Sequence, residues 1–120
     1  MADRERLAYA DLVTVAGEIR AGAITAEAVT QAMIDRITAH DGRLHSVTTL
    51  FADEALAEAR VADAEIAAGH WRGPLHGVPI AIKDLCFTKG VVTTSGTAVY
   101  ARWTSDYDAT VVTRLRAAGR

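Results

Sequence analysis

The chain has 120 residues, half of them hydrophobic and 23% of them charged, with a formal net charge of -2 at pH 7. This length corresponds to one domain or to part of one. The balance of apolar and charged residues is typical of folded globular proteins and excludes an intrinsically disordered chain. The sequence pI of about 6.0 leaves no excess of basic residues to neutralise phosphates, so we assign no nucleic-acid partner.

The first residues mix both charges and are not followed by an apolar stretch, so they do not resemble a secretory signal. No later run approaches the roughly 20 apolar residues needed to span a bilayer. A cytoplasmic protein with no membrane partner is therefore expected. Cys86 is the only cysteine, which excludes an internal disulfide and a cysteine-based metal cluster. No metal or cofactor is expected, because paired ligand spacing is absent from the four histidines, His40, His45, His70 and His76.

The first part of the chain predicts three helices. Apolar residues recur at three- and four-residue spacing over residues 9–20. Thr25 stands where a helix N-cap belongs, and the helix that it opens is expected to end at the Asp41–Gly42 pair. A β-prone stretch, 46–51, precedes an alanine-rich helix over 53–68 that a glycine ends.

The pattern changes after His70. Residues 72–77 are rich in turn formers and lead into a short apolar run, 78–82, of the buried-strand type. A hydroxyl-rich loop follows, and Asp108 is placed to cap a last helix over 109–118. Helices alternating with strands indicate an α/β fold with a mixed sheet, yet two strands are too few to be stable in water. We therefore expect a truncated fold, the first part of a larger α/β domain.

Lys83 is the first candidate for chemistry. In a strand over 78–82, side chains alternate, so Lys83 shares a face with the small residues Pro79 and Ala81. A lysine at the end of an apolar strand can be partly desolvated, and a desolvated ammonium gives up its proton more readily and can act as a base. The alternative is a lysine whose ammonium simply reaches solvent where the strand ends. The residues alone leave both open.

The run Gly-Pro-Leu-His-Gly-Val-Pro-Ile-Ala-Ile-Lys-Asp at 73–84 resembles the motif of the amidase signature family, in which such a stretch leads into a strand ending in the catalytic Lys-Asp. Residues 58–64 are similar to the family's preceding helix, and 93–97 and 108–119 to its following segments. The resemblance covers nearly the whole chain in the family's order. It implies that 1–120 is the N-terminal part of a single amidase domain, with a mostly helical layer over 1–70 and the start of the α/β core over 71–120.

The resemblance also implies site residues and a mechanism. In the family the lysine is the base of a Ser, cis-Ser, Lys triad that cleaves amide bonds through an acyl-enzyme, which assigns Lys83 that role. Both family serines lie downstream of the segments matched here, so the isolated chain is expected to be inactive. Asp84 supports the lysine region by hydrogen bonding or is a solvated carboxylate. Pocket-lining roles are implied for Thr94, Ser95 and Gly96, and Ser95 is expected to cap a turn rather than to act as the nucleophile.

Three further expectations concern the turn histidine, a carboxylate pair and the class of protein. His76 is expected to be a turn residue rather than a base, and Asp106 with Asp108 resembles a catalytic pair only superficially. A small amide is the expected substrate, and a homodimer or a missing C-terminal part is the expected partner.

Two alternatives to an amidase remain. One is the glutamine-hydrolysing A subunit of a tRNA-dependent amidotransferase, although Leu85 after the Lys-Asp pair favours a stand-alone amidase. The other is a non-catalytic helical interaction module or the remnant of a broken gene.

Overall fold

The computed structural model describes residues 2–119, so Met1 and Arg120, the two ends of the expected unit, lie outside it. Within this range five α-helices and one short 3-10 turn are formed. The helices are α1 (Ala2–Tyr9), α2 (Leu12–Arg20), α3 (Ala26–Leu44), α4 (Ala52–Ala67) and α5 (Thr110–Ala117), and the 3-10 turn is Ala98–Tyr100. The radius of gyration is 15.1 Å, against about 13.6 Å for a compact domain of this length. The molecule is thus more open than a self-contained globule.

The helical layer is built from α1 to α4, with α3 packing on both α1 and α4. Its core consists of buried apolar residues from all four helices together with one residue of the later segment, namely Leu7, Val15, Ile19, Ala26, Val29, Ala32, Ala59, Ala62 and Val78. Small residues on α3 and α4 let the two helix axes approach closely. The mostly helical character expected for the first part of the chain is therefore what the structure forms.

Local capping explains where these helices begin and end. The Thr25 hydroxyl accepts a hydrogen bond from the Ala28 N–H, at 3.1 Å, and caps α3 as the sequence predicts. The helix expected over 9–20 is formed as α2 but begins three residues later, because the Asp11 carboxylate accepts from the Thr14 N–H, at 2.8 Å, and caps it there. Helix α1, which precedes it, was not predicted. The expected break at Asp41–Gly42 is wrong, since α3 continues to Leu44.

The end of α3 has its own explanation. The Asp41 carboxylate accepts from the N–H groups of Ser46 and Val47, at 2.7 and 3.2 Å, and so holds the chain just after the helix. His45 takes the left-handed conformation, with φ of 50°, and ends the helix. The pKa of Asp41 is lowered below its usual value. The largest cause is a hydrogen bond from the Ser46 hydroxyl, and the N–H bonds add to it. The β-prone stretch 46–51 forms no strand in the structure.

The sheet part of the predicted α/β fold is not confirmed, because no strand is formed within residues 2–119. The run 78–82 is non-helical but irregular, since a strand needs a neighbour for its backbone hydrogen bonds and the described chain offers none. Isolated bridges join Lys89 to Ser105 and Val92 to Thr104. Burial follows the expected alternation only in part, because Ile80 and Ile82 are half-buried and Ala81 and Lys83 exposed, but Pro79 is half-buried as well.

The last helix lies within one residue of its predicted bounds, but its predicted cap is wrong. Ala109 occupies the N-cap position of α5 and makes no side-chain cap. The Asp108 carboxylate accepts instead from the Lys89 backbone N–H, at 2.7 Å, and from Arg116 Nε, at 3.1 Å. It therefore ties the loop before α5 to the helix, and the Lys89 N–H is the main reason that the pKa of Asp108 is lowered.

Candidate functional site

The candidate site is the segment that ends in Lys83, and it is held in place at both ends. The first fixed point is the turn at 74–77, and the second is Asp84. Gly77 has φ of 80°, and a Cβ atom at this position would lie 2.8 Å from the Ala26 Cβ and 3.2 Å from Ile19 Cγ2. The next residue, Val78, is buried in the core of the helical layer, and its N–H donates to the Leu75 carbonyl, at 3.0 Å. The segment that ends in Lys83 therefore starts from a fixed point on α2 and α3.

Lys83 itself is exposed. Its carbonyl accepts a hydrogen bond from the Cys86 N–H, at 2.9 Å, in a turn through Asp84 and Leu85. Within residues 2–119 its ammonium forms no ion pair or hydrogen bond with another side chain. The structure thus places Lys83 on an open face with its amine free to engage a group that covers this face.

The second fixed point is Asp84. Its carboxylate accepts from the Thr94 N–H, at 2.9 Å, and from the Thr94 hydroxyl, while the Ser95 N–H donates to the Asp84 carbonyl, at 2.8 Å. The hydroxyl and N–H of Thr94 hold the pKa of the Asp84 carboxyl below its usual value, because they favour the charged form. Asp84 is thus hydrogen-bonded to the turn at 94–95, and its support of the lysine region stays a prediction.

The turn at Ser95 and Gly96 completes the cluster. Both residues have positive φ, 50° and 70°. The Gly96 N–H donates to the Thr94 hydroxyl, at 3.1 Å, so Thr94 caps this turn, and the capping role expected for the Ser95 hydroxyl is not seen. In the described part of the chain the Ser95 hydroxyl has no hydrogen-bond partner. The structure therefore joins four of the five candidates by hydrogen bonds, Thr94 and Ser95 directly to Asp84 and Gly96 through Thr94, whereas Lys83 adjoins them as the residue before Asp84.

The loop beyond this unit is held by aromatic rings that the sequence analysis did not single out. Phe87 lies 4.8 Å from Trp103 and 5.6 Å from Tyr107, measured between ring centroids. Tyr100 lies 6.2 Å from Trp103. Spacings of this size are typical of stabilising aromatic pairs. No periodic signal could have grouped these rings, because they come from an irregular loop.

Two further features could not be seen in the sequence, the cap that Asp63 provides and the complete burial of His76. The Asp63 carboxylate on α4 accepts from the Ala26 and Glu27 N–H groups, at 2.6 and 3.0 Å, and so caps α3 from a neighbouring helix. His76 lies in the turn as expected but is completely buried and hydrogen-bonded. The partners of Asp63 are more than 30 residues away in sequence, which is why no local pattern reveals this cap.

The described residues form neither a metal-holding group of side chains nor a membrane-spanning helix. Within residues 2–119 no three side chains of His, Cys, Asp or Glu are grouped so that they could hold a metal ion. Over the same residues no helix combines the length and the apolar character that crossing a membrane requires.

Asp84→Asn should make the free energy of unfolding depend less steeply on pH in the acid range. Because the folded-state pKa of Asp84 is depressed, its stabilisation is complete above the unfolded value, about 3.9, and is lost as the pH falls through the folded value. The amide cannot titrate, so the variant should lose less unfolding free energy than the wild type between pH 5 and the acid limit of about pH 2. Urea unfolding across this range measures the difference. Asp106→Asn is the control, since the Asp106 carboxylate accepts no hydrogen bond within residues 2–119, and equal slopes in all three proteins would contradict the role of Asp84.

Comparisons with known proteins agree with this geometry. The family model described as Amidase matches residues 28–120. "Putative amidase AmiD" of Mycobacterium tuberculosis is 45% identical over 117 residues, 98% of this chain and 25% of the relative. The A subunit of the glutamyl-tRNA(Gln) amidotransferase of Salinispora arenicola is 48% identical over 119 residues, 99% of this chain and 24% of the relative.

A solved structure gives the same answer for the fold. The native peptide amidase of Stenotrophomonas maltophilia superimposes with a TM-score of 0.84 and 37% sequence identity, over 93% of this chain and 23% of that one. The chain thus spans about a quarter of the length of the relatives that it matches. Since the family model covers more than three quarters of the chain, the chain belongs to the amidase signature family.

Proposed function

We propose that this chain supplies the general base and part of the substrate pocket of an amidase domain that hydrolyses carboxylic amides. The observation that carries the proposal is the unit formed by Lys83, Asp84 and Thr94 within a segment matched by the family model. Lys83 is the one candidate base in this unit, and it sits on an open face next to a turn fixed by Asp84. The peptide amidase neighbour supports amide hydrolysis as the reaction.

The proposed chemistry needs groups from the rest of the domain. A serine hydroxyl attacks the amide carbonyl carbon, and its proton passes through a second, bridging serine to the neutral amine of Lys83. The C–N bond then breaks, the proton is returned to the leaving amine, and water hydrolyses the acyl-serine ester. Backbone N–H groups must stabilise the oxyanion of the tetrahedral intermediate, a contribution of about 3 kcal/mol for each donor.

Exposed apolar side chains support a covering remainder of the domain. Val99 is 84% exposed, Leu85 53% and Val111 48%. These three residues lie in or after the lysine segment, where a sheet would be added. Burial of apolar side chains of this size typically contributes about 1.5–3 kcal/mol each, so covering them would stabilise the assembled domain.

The test is to join residues 1–120 to the remaining part of the Stenotrophomonas maltophilia peptide amidase in place of its matching first quarter. The 120-residue chain alone should release no ammonia or amine from aliphatic, aryl and peptide amides above background, whereas the chimera should turn over at least one of them. Activity of the chain alone would contradict the division of roles proposed here. A folded but inactive chimera would contradict the assignment of the base to this chain.

The second candidate is a glutamine-hydrolysing component of an amidotransferase, favoured by the 48% identity to the Salinispora arenicola protein. The two candidates differ in the acyl donor, free glutamine or another amide. A second chimera built on the Salinispora arenicola protein, assayed for glutaminase activity with its partner subunits, separates them. Leu85 after the Lys-Asp pair favours the stand-alone amidase, so we expect the first chimera to be the more active.

The non-catalytic alternative has its own test. A helical interaction module should melt cooperatively as the 120-residue chain, because it must hold its structure alone. A part of a larger domain should melt broadly and aggregate, since its apolar faces at Val99 and Val111 are open. We expect the second result for the chain and a cooperative melt for the chimera.

A further inference from the structure

His76 is a fully buried histidine that the proposed chemistry does not use. The Arg72 N–H donates to His76 Nδ1, at 3.1 Å, and His76 Nε2 lies 2.9 Å from Glu65 Oε2 on α4. A ring nitrogen that accepts a hydrogen bond carries no proton, so the ring proton sits on Nε2 and is donated to Glu65. The hydrogen bonds therefore require one neutral tautomer, protonated at Nε2.

Three parts of the molecule meet at His76, α4 at its ring and the end of α5 at its backbone. The Leu75 N–H donates to the Ala118 carbonyl at the end of α5, at 2.9 Å. Gly119 has φ of 111°, and a Cβ atom there would lie 2.8 Å from the His76 backbone nitrogen. Helix α4 reaches the ring through Glu65. His76 thus joins α4, the turn at 74–77 and the end of α5.

The charged groups around the ring are few. Arg72 Nε lies 2.7 Å from Glu65 Oε2 and 3.1 Å from His76 Nε2, and its proton goes to the carboxylate, which is the nearer and the charged acceptor. The Trp71 ring lies 5.4 Å from the imidazole, between centroids, and the Arg20 guanidinium from α2 stands 5.3 Å over the indole. No other charged side chain forms a hydrogen bond or ion pair with the ring in the described part of the chain. Protonation at Nδ1 would set an N–H against the Arg72 N–H, and this contact would have to open.

We propose that His76 is a positioning residue for Lys83, acting as a rigid two-ended link in its Nε2-protonated neutral form. Its two nitrogens fix Arg72 and Glu65 at once, and the following residues, Gly77 and Val78, lie against the helical layer. The start of the lysine segment is thereby set relative to α4. The part that concerns catalysis rests on the function proposed above, whereas the tautomer and the fixing of the segment do not.

The tautomer is tested by NMR at neutral pH on the chimera labelled with ¹⁵N-histidine. We expect the signals of His76 to show an unprotonated Nδ1 and a protonated Nε2, unlike the averaged signals of an exposed histidine such as His70. A protonated Nδ1, an imidazolium or averaged signals would overturn the proposal.

The fixing of the segment is tested by amide exchange in the same chimera, which needs to be folded but not active. In His76→Ala the N–H groups of Leu75 and Val78 should exchange much faster than in the wild type, because their turn loses its link to α4. Val29→Ala is the matched control, since it removes buried atoms from the same core as Val78 but breaks none of the hydrogen bonds of the turn. If the Val78 N–H exchanged equally fast in both variants, His76 would contribute only to the stability of the whole fold and would not fix this segment.

Catalysis is tested in the chimera with three variants. In His76→Ala, kcat should fall by about 10²-fold with little change in KM, the cost of misplacing a catalytic group by about 1 Å. His76→Asn keeps an acceptor near the Nδ1 position and should recover part of the loss, and Val29→Ala should leave kcat per folded molecule unchanged. Unchanged kcat in His76→Ala would overturn the positioning role. Should the chimera with His76 be inactive, the proposed function fails, and the exchange measurements still decide whether His76 fixes the segment.

Discussion

Lys83→Ala should abolish amide hydrolysis by the chimera, with kcat/KM falling by about 10³-fold, the range in which removal of a general base lies. The fold should not change, because the Lys83 side chain is exposed and forms no hydrogen bond or ion pair within residues 2–119. Lys83→Arg should be as inactive as the alanine variant, since a guanidinium keeps its proton and cannot serve as a base. Turnover of an amide panel and the circular dichroism of each variant measure the two effects separately.

Two controls make this result specific. Lys89→Ala removes another exposed lysine of the same region and should retain full activity, because Asp108 is bound by the Lys89 backbone rather than by its side chain. Ser95→Ala should be mild, since the backbone of Ser95, not its hydroxyl, is bonded to Asp84. Robust activity in Lys83→Ala, or its loss in Ser95→Ala alone, would show that the chemistry belongs to a different residue.

Gly77→Ala should lower the free energy of unfolding by about 3 kcal/mol. An alanine at φ of 80° takes the left-handed conformation at a cost of about 1–2 kcal/mol, and its Cβ would overlap the Ala26 Cβ at 2.8 Å, adding about 1–3 kcal/mol. Neither neighbour can yield easily, because Ala26 and Ile19 are buried in the core. Urea unfolding of the chimera or of the chain measures the change.

Glycines in open space separate the two parts of this cost. Gly22 has φ of 69° and nothing within 4 Å of an added Cβ, so Gly22→Ala should cost only the backbone part, about 1 kcal/mol. Gly17 lies inside α2 with open space around it, and Gly17→Ala should stabilise by about 1 kcal/mol. If Gly77→Ala were no worse than Gly22→Ala, the close contact with α2 and α3 would not hold in solution.

Features that depend on neighbouring residues could be predicted from the sequence. Thr25 caps α3 by accepting from an N–H three residues ahead of it, and the bounds of α4 and α5 fall within about one residue of the expected ones. The candidate site was also predictable in composition, since the motif at 73–84 and the hydroxyl-rich loop point to the residues that the structure joins through Asp84. Helix ends and motifs are local, so a single sequence reveals them.

Features that depend on distant partners could not be predicted. Asp63 caps α3 across more than 30 residues, and Asp108 accepts from the Lys89 backbone instead of capping α5. The strand expected over 78–82 is not formed, because strand geometry is stabilised by a neighbouring strand rather than by the apolar residues themselves. In each case the choice is made by a group that local patterns do not specify.

The contact between Leu75 and the end of α5 has a consequence for how such proteins diversify. Because the Leu75 N–H meets the Ala118 carbonyl, and Gly73 allows that carbonyl to come within 2.5 Å of where a Cβ would stand, the turn before the lysine segment and the end of α5 meet at one place. The residues between, which include Lys83 and the turn at Ser95, form a segment whose two ends are joined. Changes of length inside such a segment add little to the entropy of closing it, and surface segments of this kind are where proteins vary most.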